Sequence, residues 1–239
     1  MSRIAVMSGK GGVGKSSVSI MLSTVLSEKG RTLLLDFDLC GPSIASGFGA
    51  KENVYKGEKG LVPIRVSKNL YILSMALLMK DSDSVIWRGP KKMSVLSMFY
   101  ESIDGFDNVV FDMPPGISEE HGFLIGKDVG ALIITTPQNV SLGDSSKAID
   151  FCASNGIRIL GLVENMSGYC CECCGSSVNI FGSKGGERLA EETGIPFVCR
   201  LPIDSLLCEA LDEGRFVERC GSIEAYMKFR KAVLGLADI

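Results

Sequence analysis

Gly9-Lys10-Gly11-Gly12-Val13-Gly14-Lys15-Ser16 follows the apolar run Ile4-Ala5-Val6-Met7 and opens a helical pattern that continues to Lys29. The octet fits GxxxxGK(S/T) in the context that gives this spacing meaning, a strand before it and a helix after it. Glycines let the backbone curl until its N–H groups face phosphate oxygens, and the helix N-terminus adds a favourable dipole. In such a loop Lys15 reaches the β- and γ-phosphates of ATP and the Ser16 hydroxyl ligates Mg²⁺. The competing reading is a glycine-rich turn that matches by chance, and the flanking strand and helix argue against it. ATP contacts are expected along Gly9, Lys10, Gly11, Gly12, Val13, Gly14, Lys15, Ser16 and Ser17.

Outward from this loop, strand-length apolar runs alternate with helical patterns. Strands are expected at 3–7, 31–36, 70–75, 108–112, 131–135, 157–164 and 197–201, and helices at 15–29, 91–102, 142–154, 184–193, 205–213 and 223–236. Strand–helix alternation with strands apolar on both faces predicts an α/β fold, a mostly parallel sheet covered by helices on both sides. Gly30, Gly156 and Gly194 fall where a helix C′ glycine is expected, each before an apolar strand. No linker or repeat interrupts the pattern, so one P-loop NTPase domain spanning 1–239 is expected, with a cysteine segment at 168–181 inside it.

The composition excludes several function classes. In 239 residues 46% are hydrophobic and 22% charged, enough for a large core and incompatible with disorder. The net charge of −3, with no run of Lys or Arg, provides no footprint for nucleic acid. Apolar stretches such as 33–35 and 131–134 are far shorter than the ~20 residues of a membrane span. Met1-Ser2-Arg3 leads straight into the first strand without room for a signal or transit peptide, so a cytoplasmic location is expected.

Two more strand ends carry acids. Asp36 and Asp38 close the second strand in Asp36-Phe37-Asp38-Leu39, and Asp112 ends Val109-Val110-Phe111-Asp112. Carboxylates at the C-terminal ends of parallel strands stand beside the phosphate loop, where Mg²⁺ and an attacking water must be held. Lys10, inside the loop, resembles the additional lysine of the deviant Walker A ATPases, a class that includes the nitrogenase iron protein, arsenite pump ATPases and the Mrp and Min families. In that class this lysine enters the nucleotide site of a partner subunit. The resemblance therefore implies a dimer closed over two nucleotides, against the alternative of a solvated lysine. It also implies that Asp38 orients or activates water and that Asp112 holds Mg²⁺ through water, while Asp36 supports either Mg²⁺ or the loop. The implied catalytic set is Lys10, Lys15, Asp38 and Asp112, with Ser16.

Nine cysteines are an odd number, and four crowd into Cys170-Cys171-Glu172-Cys173-Cys174. In a reducing compartment this reads as metal or redox chemistry rather than a disulfide framework. The segment holds two overlapping CxxC pairs, 170/173 and 171/174. One pair supplies two ligands where a complete site needs about four. A symmetry-related pair from a second subunit is the simplest completion, and a bridging 4Fe-4S cluster the leading expectation. Zinc in the same tetrathiolate is its nearest competitor, and a redox CxxC the third reading.

GKGGVGKSS, DFDLCGPS, VIWRGPKK, FDMPPGISEEH, TTPQNVSL, ENMSGY, NIFGSKGG and LPID together resemble the Mrp/Nbp family of P-loop ATPases that assemble and carry iron–sulfur clusters, in its short eukaryotic cytosolic scaffold branch. The likeness covers nearly the whole chain. Matching Tyr169 and Asn179-Ile180-Phe181 without a gap puts the family CxxC on Cys171 and Cys174. Glu172 stands where the family often has proline, and Cys170 and Cys173 are additional, so the register stays open between the two pairs. By resemblance Asn165 reads the adenine edge, Pro202 and Asp204 flank the base, and His121 occupies a family position suited to a surface or capping role. The family implies a homodimer, or a heterotetramer with a longer paralogue carrying an N-terminal cluster, and cluster delivery to recipient apoproteins, with no nucleic acid or membrane partner. The rival readings are a partitioning or positioning switch of the same fold and an electron-transfer ATPase with a permanently bound cluster.

Overall fold

A computed structural model describes residues 2–39, 41–52, 54–57, 60–78, 89–171 and 173–236; Cys40, Trp87, Arg88 and Glu172 lie outside the described residues. The main sheet has eight strands: β1 (Ser2–Met7), β2 (Thr32–Asp36), β3 (Ile64–Arg65), β4 (Leu70–Leu73), β5 (Asn108–Asp112), β6 (Gly130–Thr135), β7 (Arg158–Glu164) and β8 (Phe197–Arg200). Their order is β8-β7-β6-β1-β5-β2-β4-β3, parallel except where β3 runs antiparallel to β4. The longer helices are α1 (Lys15–Ser27), α2 (Gly89–Glu101), α3 (Asn139–Ser154), α4 (Gly185–Thr193), α5 (Ser205–Asp212) and α6 (Glu224–Leu234).

Side chains alternate across a strand, so a strand covered on both faces must be apolar at every position. Ile4, Val6, Leu34, Val110, Leu132 and Ile134 face one core, shared with Met21, Leu22 and Val25 of α1 and Tyr226, Phe229 and Val233 of α6. Ala5, Met7, Leu33, Leu35, Phe111 and Ile133 face the other, shared with Leu96 and Phe99 of α2, Ile149 and Cys152 of α3 and Leu189 of α4. Helix α2 starts at Gly89-Pro90, where proline loses no intrahelical bond. The C-terminal helix closes against α1, and Arg230 makes two hydrogen bonds to Glu28 at 2.8 and 2.6 Å.

The observed elements match the expected strands and helices in order, with local differences. The strand expected at 70–75 stops at Leu73, because the Ser74 hydroxyl accepts from Ala76 N–H and turns the chain into a 3₁₀ turn at Met75–Leu77. The antiparallel edge strand β3 and the hairpin Tyr55–Gly57 with Gly60–Val62 are additional. Gly156 and Gly194 are left-handed as expected, with φ 66° and 69°, but Gly30 is not. Its requirement is close approach: a Cβ there would lie 2.7 Å from Asp107 Oδ2, which accepts from Arg31 N–H.

Phe229 is fully buried between α1 and the sheet. Phe229→Ala should cost about 3–5 kcal/mol in urea unfolding with an unchanged m-value. An Arg230→Ala change at the exposed Glu28 pair should cost much less.

Candidate functional site

Strand β1 lies between β5 and β6, so successive connections leave it in opposite directions and open a crevice at its C-terminal end. The glycine-rich loop emerges there. Gly14 has φ 85°, and a Cβ on it would collide with the Asn165 side-chain amide; a Cβ on Gly9 would collide with the Asp144 backbone in α3. The loop is thus pressed between two elements. Asn165 Nδ2 donates to Val13 O at 2.9 Å, and Ser8 Oγ donates to Lys10 O at 2.9 Å.

Beside the loop stands the carboxyl group of Asp112, fully buried at the end of β5. Ser16 Oγ donates to its Oδ2 at 2.7 Å, Ser19 Oγ donates to its Oδ1 at 2.8 Å, and Lys15 Nζ lies 3.4 Å from Oδ1. Burial pushes the Asp112 carboxyl up, while Lys15 and the two serine hydroxyls pull it back. Asp36 is in register with Asp112 on β2 and is also fully buried. Its Oδ2 accepts from Ser74 Oγ at 2.8 Å and Ile44 N at 3.4 Å, and its Oδ1 has no partner among the described residues. Burial, and next the neighbouring Asp112 carboxylate, push the Asp36 carboxyl up to about 8. Asp38 is half-buried and accepts from Gly41 N–H at 3.1 Å.

Two adjoining cavities share Gly14, Ser16 and Ser17. One of about 240 Å³ is lined by Lys10, Gly12, Lys15, Asp38 and Pro115. The other, about 620 Å³ and more apolar, is lined by Asn165, Met166, Phe181, Pro202, Asp204 and Leu207. A phosphate pocket opening into a larger apolar pocket has the layout a nucleotide requires. Lys10 is exposed at the rim. The Asp204 carboxylate lines the larger cavity, yet its oxygens already accept from the N–H groups of Leu206, Leu207 and Ala225, capping α5 and reaching the start of α6. A further cavity of about 300 Å³ lies among Arg3, Lys127, Asp128 and Arg158 and shares no residue with the loop.

The cysteine segment is a short hairpin, Tyr169–Cys170 paired with Ser177–Val178. Cys171 N–H donates to Ser176 O at 2.9 Å and Gly175 N–H to Cys171 O at 2.8 Å, closing the turn. The Cys174 thiol hydrogen-bonds Ser176 Oγ at 3.3 Å, and that bond, the Ser176 backbone and the adjacent Cys171 thiol hold it below the usual thiol range. The Cys170 thiol turns instead to Gly175 O at 3.5 Å. Cys174 is exposed and Cys171 half-buried. Among the described residues no three His, Cys, Asp or Glu side chains gather into a metal-binding group.

His121 is buried rather than at the surface, and it does act in a cap. Its Nδ1 accepts from Ser118 N–H at 3.2 Å, closing a capping box at the helix Glu119–Gly122. Burial is the main cause that pushes its pKa down to about 4, so the ring is neutral. Sequence reasoning passed over two residues here. Ser19, one turn after Lys15, completes the cage around Asp112 and is signalled only by its i+4 spacing. Glu164, in the quoted ENMSGY segment, is a fully buried carboxylate directly before Asn165.

A parallel sheet with a glycine-rich loop from β1 to α1, and a lysine and serine turned onto a buried strand-end aspartate, defines a P-loop NTPase. The ParA model described as NUBPL iron-transfer P-loop NTPase matches residues 1–236, and the chain belongs to that family. Among its relatives, the cytosolic Fe-S cluster assembly factor NUBP2 of Gallus gallus is 42% identical, over 98% of this chain and 91% of the relative. The corresponding Nubp2 homolog of Anopheles gambiae is 44% identical, over 89% and 86%. A nucleotide-binding protein of Archaeoglobus fulgidus, solved in complex with ADP, has 30% identity and a TM-score of 0.77, covering 95% of this chain and 90% of its own. The cell division ATPase MinD of Pyrococcus furiosus, at 22% identity and TM-score 0.69 over 99% and 100% of the two chains, shares the fold.

The native state keeps the Asp36 proton up to about pH 8, whereas an unperturbed aspartate loses it near 3.8. The native state therefore binds more protons across that window, and this group's contribution to stability falls as pH rises through it. Asp36→Asn removes that loss. Its stability relative to wild type, without nucleotide, should rise with pH by at most about 1.4 kcal/mol per pH unit and level off above pH 8. Thermal unfolding of both proteins from pH 5 to 9 measures it; a pH-independent difference would contradict the proton on Asp36.

Proposed function

We propose that this chain is an ATP-hydrolysing scaffold of iron–sulfur cluster assembly. Two subunits close over their phosphate loops, hold a labile 4Fe-4S cluster between their CxxC segments, and pass it to cytosolic and nuclear apoproteins. The observation that carries this reading is the pairing of the Cys171 and Cys174 thiols on an exposed turn. Two thiolates are half of a tetrathiolate set, so a second pair across a dimer completes it. The relatives' names, cytosolic Fe-S cluster assembly factors, support the same cargo and a cytoplasmic location. No helix of the described residues is long and apolar enough to cross a membrane.

The nucleotide chemistry follows from the site. Backbone N–H groups from Gly9 to Ser17 cradle the phosphates. Lys15, now 3.4 Å from Asp112, exchanges that carboxylate for the β- and γ-phosphates. Ser16, which lines the pocket, and Asp112, hydrogen-bonded behind it at 2.7 Å, would hold Mg²⁺, the hydroxyl directly and the carboxylate through water; the ion would supply charge neutralisation on the phosphates. Asp38, on the pocket wall, orients water toward the γ-phosphorus. The P–O bond to the β-phosphate breaks, and ADP and inorganic phosphate leave. Lys10 extends from the rim into the partner's nucleotide. Asn165 offers its remaining amide oxygen to the adenine edge, Pro202 flanks the base, and Asp204 builds the wall through its caps. ATP and ADP stabilise different subunit arrangements, which makes cluster loading depend on hydrolysis. Either a homodimer or a heterotetramer with a longer paralogue bearing its own N-terminal cluster satisfies this scheme. The whole chain acts as one ATPase domain.

Anaerobic reconstitution with iron and sulfide, read by Mössbauer spectroscopy and light scattering, tests the cargo. About four irons per dimer are expected, absent from Cys171→Ala/Cys174→Ala and retained in Cys170→Ala/Cys173→Ala. One zinc per dimer and no iron would make the cysteines structural. In steady-state hydrolysis, Lys15→Ala should lower kcat by about 100-fold or more. Lys10→Ala should lower hydrolysis while leaving ATP binding to the isolated subunit intact.

A further inference from the structure

We infer that Glu164 is a positioning residue that fastens the cysteine segment to the nucleotide loop, so that closure of one is felt by the other. The inference rests on the reading above, in which the loop binds ATP and the cysteines hold the cargo.

Glu164 ends β7 with a fully buried carboxylate. Its Oε1 accepts from Ser167 Oγ at 2.5 Å and from Lys184 N–H at 3.1 Å, and its Oε2 accepts from Gly186 N–H at 2.5 Å. Ser167 leads into the cysteine segment; Lys184 and Gly186 lead out of it. One carboxylate thus pins both ends of the excursion that carries Cys171 and Cys174. Approach at the exit is close: a Cβ on Gly186 would lie 3.1 Å from the Glu164 Cβ and 2.9 Å from Leu162 Cδ2.

The backbone is strained at the same place. Met166, with φ 56°, and Lys184, with φ 62°, are the only non-glycine residues with left-handed backbones among the described residues. One directly precedes Ser167 and the other donates to Glu164. Such conformations persist where surrounding bonds over-determine them.

From this clamp two ties run to the nucleotide site. Asn165, the next residue, donates to Val13 O at 2.9 Å and packs on Gly14. On the other side, Ile203 N–H donates to Gly168 O at 2.8 Å, Ser167 N–H donates to Leu201 O at 2.8 Å, and Tyr169 bridges to Ile203. The Pro202–Asp204 wall of the larger cavity is therefore stitched to the strand that enters the cysteine turn. A nucleotide that draws the loop and this wall together pulls on both ties. Glu164 keeps the far end of the excursion from yielding, so the displacement reaches Cys171 and Cys174 rather than dissipating in the chain. A plain helix cap on α4 would supply stability without this transmission.

The test is alkylation of the reduced, cluster-free full-length protein by iodoacetamide under anaerobic conditions, with and without ATP–Mg²⁺, followed by peptide-resolved mass spectrometry. In wild type, nucleotide should change the rate at Cys171 and Cys174 by about fivefold. In Glu164→Gln the response should fall below about twofold, with nucleotide affinity within about twofold of wild type. Ser167→Ala removes a single hydroxyl from the clamp and should reduce the response in the same direction; it decides the matter if circular dichroism shows Glu164→Gln unfolded. An undiminished response in a folded Glu164→Gln protein, or in Ser167→Ala where the first is unfolded, reduces Glu164 to a helix cap. A wild-type protein that binds nucleotide with no change in thiol reactivity overturns the coupling itself. Neither result touches the cluster assignment, which iron reconstitution of the cysteine variants decides separately. Conversely, loss of the response in Glu164→Gln stands even if those cysteines prove to carry a different cargo.

Discussion

The Asp112 carboxylate is removed from water at the end of a central strand, and the local structure is arranged around making that tolerable. Desolvation of a carboxylate costs several kcal/mol unless charge and hydrogen bonds replace the lost water. Here Lys15, Ser16 and Ser19, all from the first turns of α1, supply them. Their convergence fixes where α1 begins and how it is rotated. The glycine loop must then bridge a set distance from β1, and Gly14 takes the left-handed conformation that closes the gap. All three hold the carboxylate without nucleotide, and two of them, Lys15 and Ser16, are the residues that in the proposed reaction phosphate and Mg²⁺ would claim. A binding site that is held together by its own charges can exchange them for a ligand's without refolding.

The second consequence falls on Asp36. Two carboxyls in register on adjoining strands cannot both be charged at low cost in a dry interior. Asp112 has the lysine, so Asp36 is left with a hydroxyl and one N–H and retains its proton. Phe37, the next residue, buries its ring against Phe99, Phe111 and Phe123 on the opposite side of the strand. This anchors the turn that carries Asp38 to the pocket. Core packing behind the sheet and the charge arrangement at its edge therefore set one another's positions.

How much of this could be read from the residues depended on whether the signal was local. The phosphate loop was legible because its spacing, strand and helix are contiguous, and the strands were legible because burial on both faces leaves unbroken apolar runs. The edge strand β3 was not, since Ile64-Arg65 is too short to show a period and is held only by pairing with β4. Asp204 looked like a pocket residue from its motif, while its three N–H partners include Ala225, which only the folded chain brings near. Glu164 carries no local signal of its role for the same reason. What makes it a clamp is the return of the chain at Lys184 and Gly186, about twenty residues later, and no pattern in the intervening residues announces that return.

The cysteine hairpin bears on what distinguishes this chain from switches with the same fold. A fold hosts many activities, and function lies in the site grafted onto it. Here the graft is an excursion between β7 and α4 that ends in an exposed turn with two adjacent thiols. A structural zinc site is normally closed, with four ligands from one chain and little exposure. An exposed half-set has the opposite properties. In the proposed scaffold it would depend on another subunit for completion, so its affinity would vary with subunit arrangement, and its exposure would leave it accessible to a recipient's thiols. Ser176 and Cys171 hold the Cys174 thiol toward the thiolate form that ligation and exchange require, without burying it. A site built to retain its cargo would gain from burial, whereas one built to surrender it gains from exposure and from control by a second ligand. In the coupling inferred above, the nucleotide pocket would exert that control through Asn165 and the Ile203–Gly168 pairing, so that cargo release would follow the state of the phosphate loop.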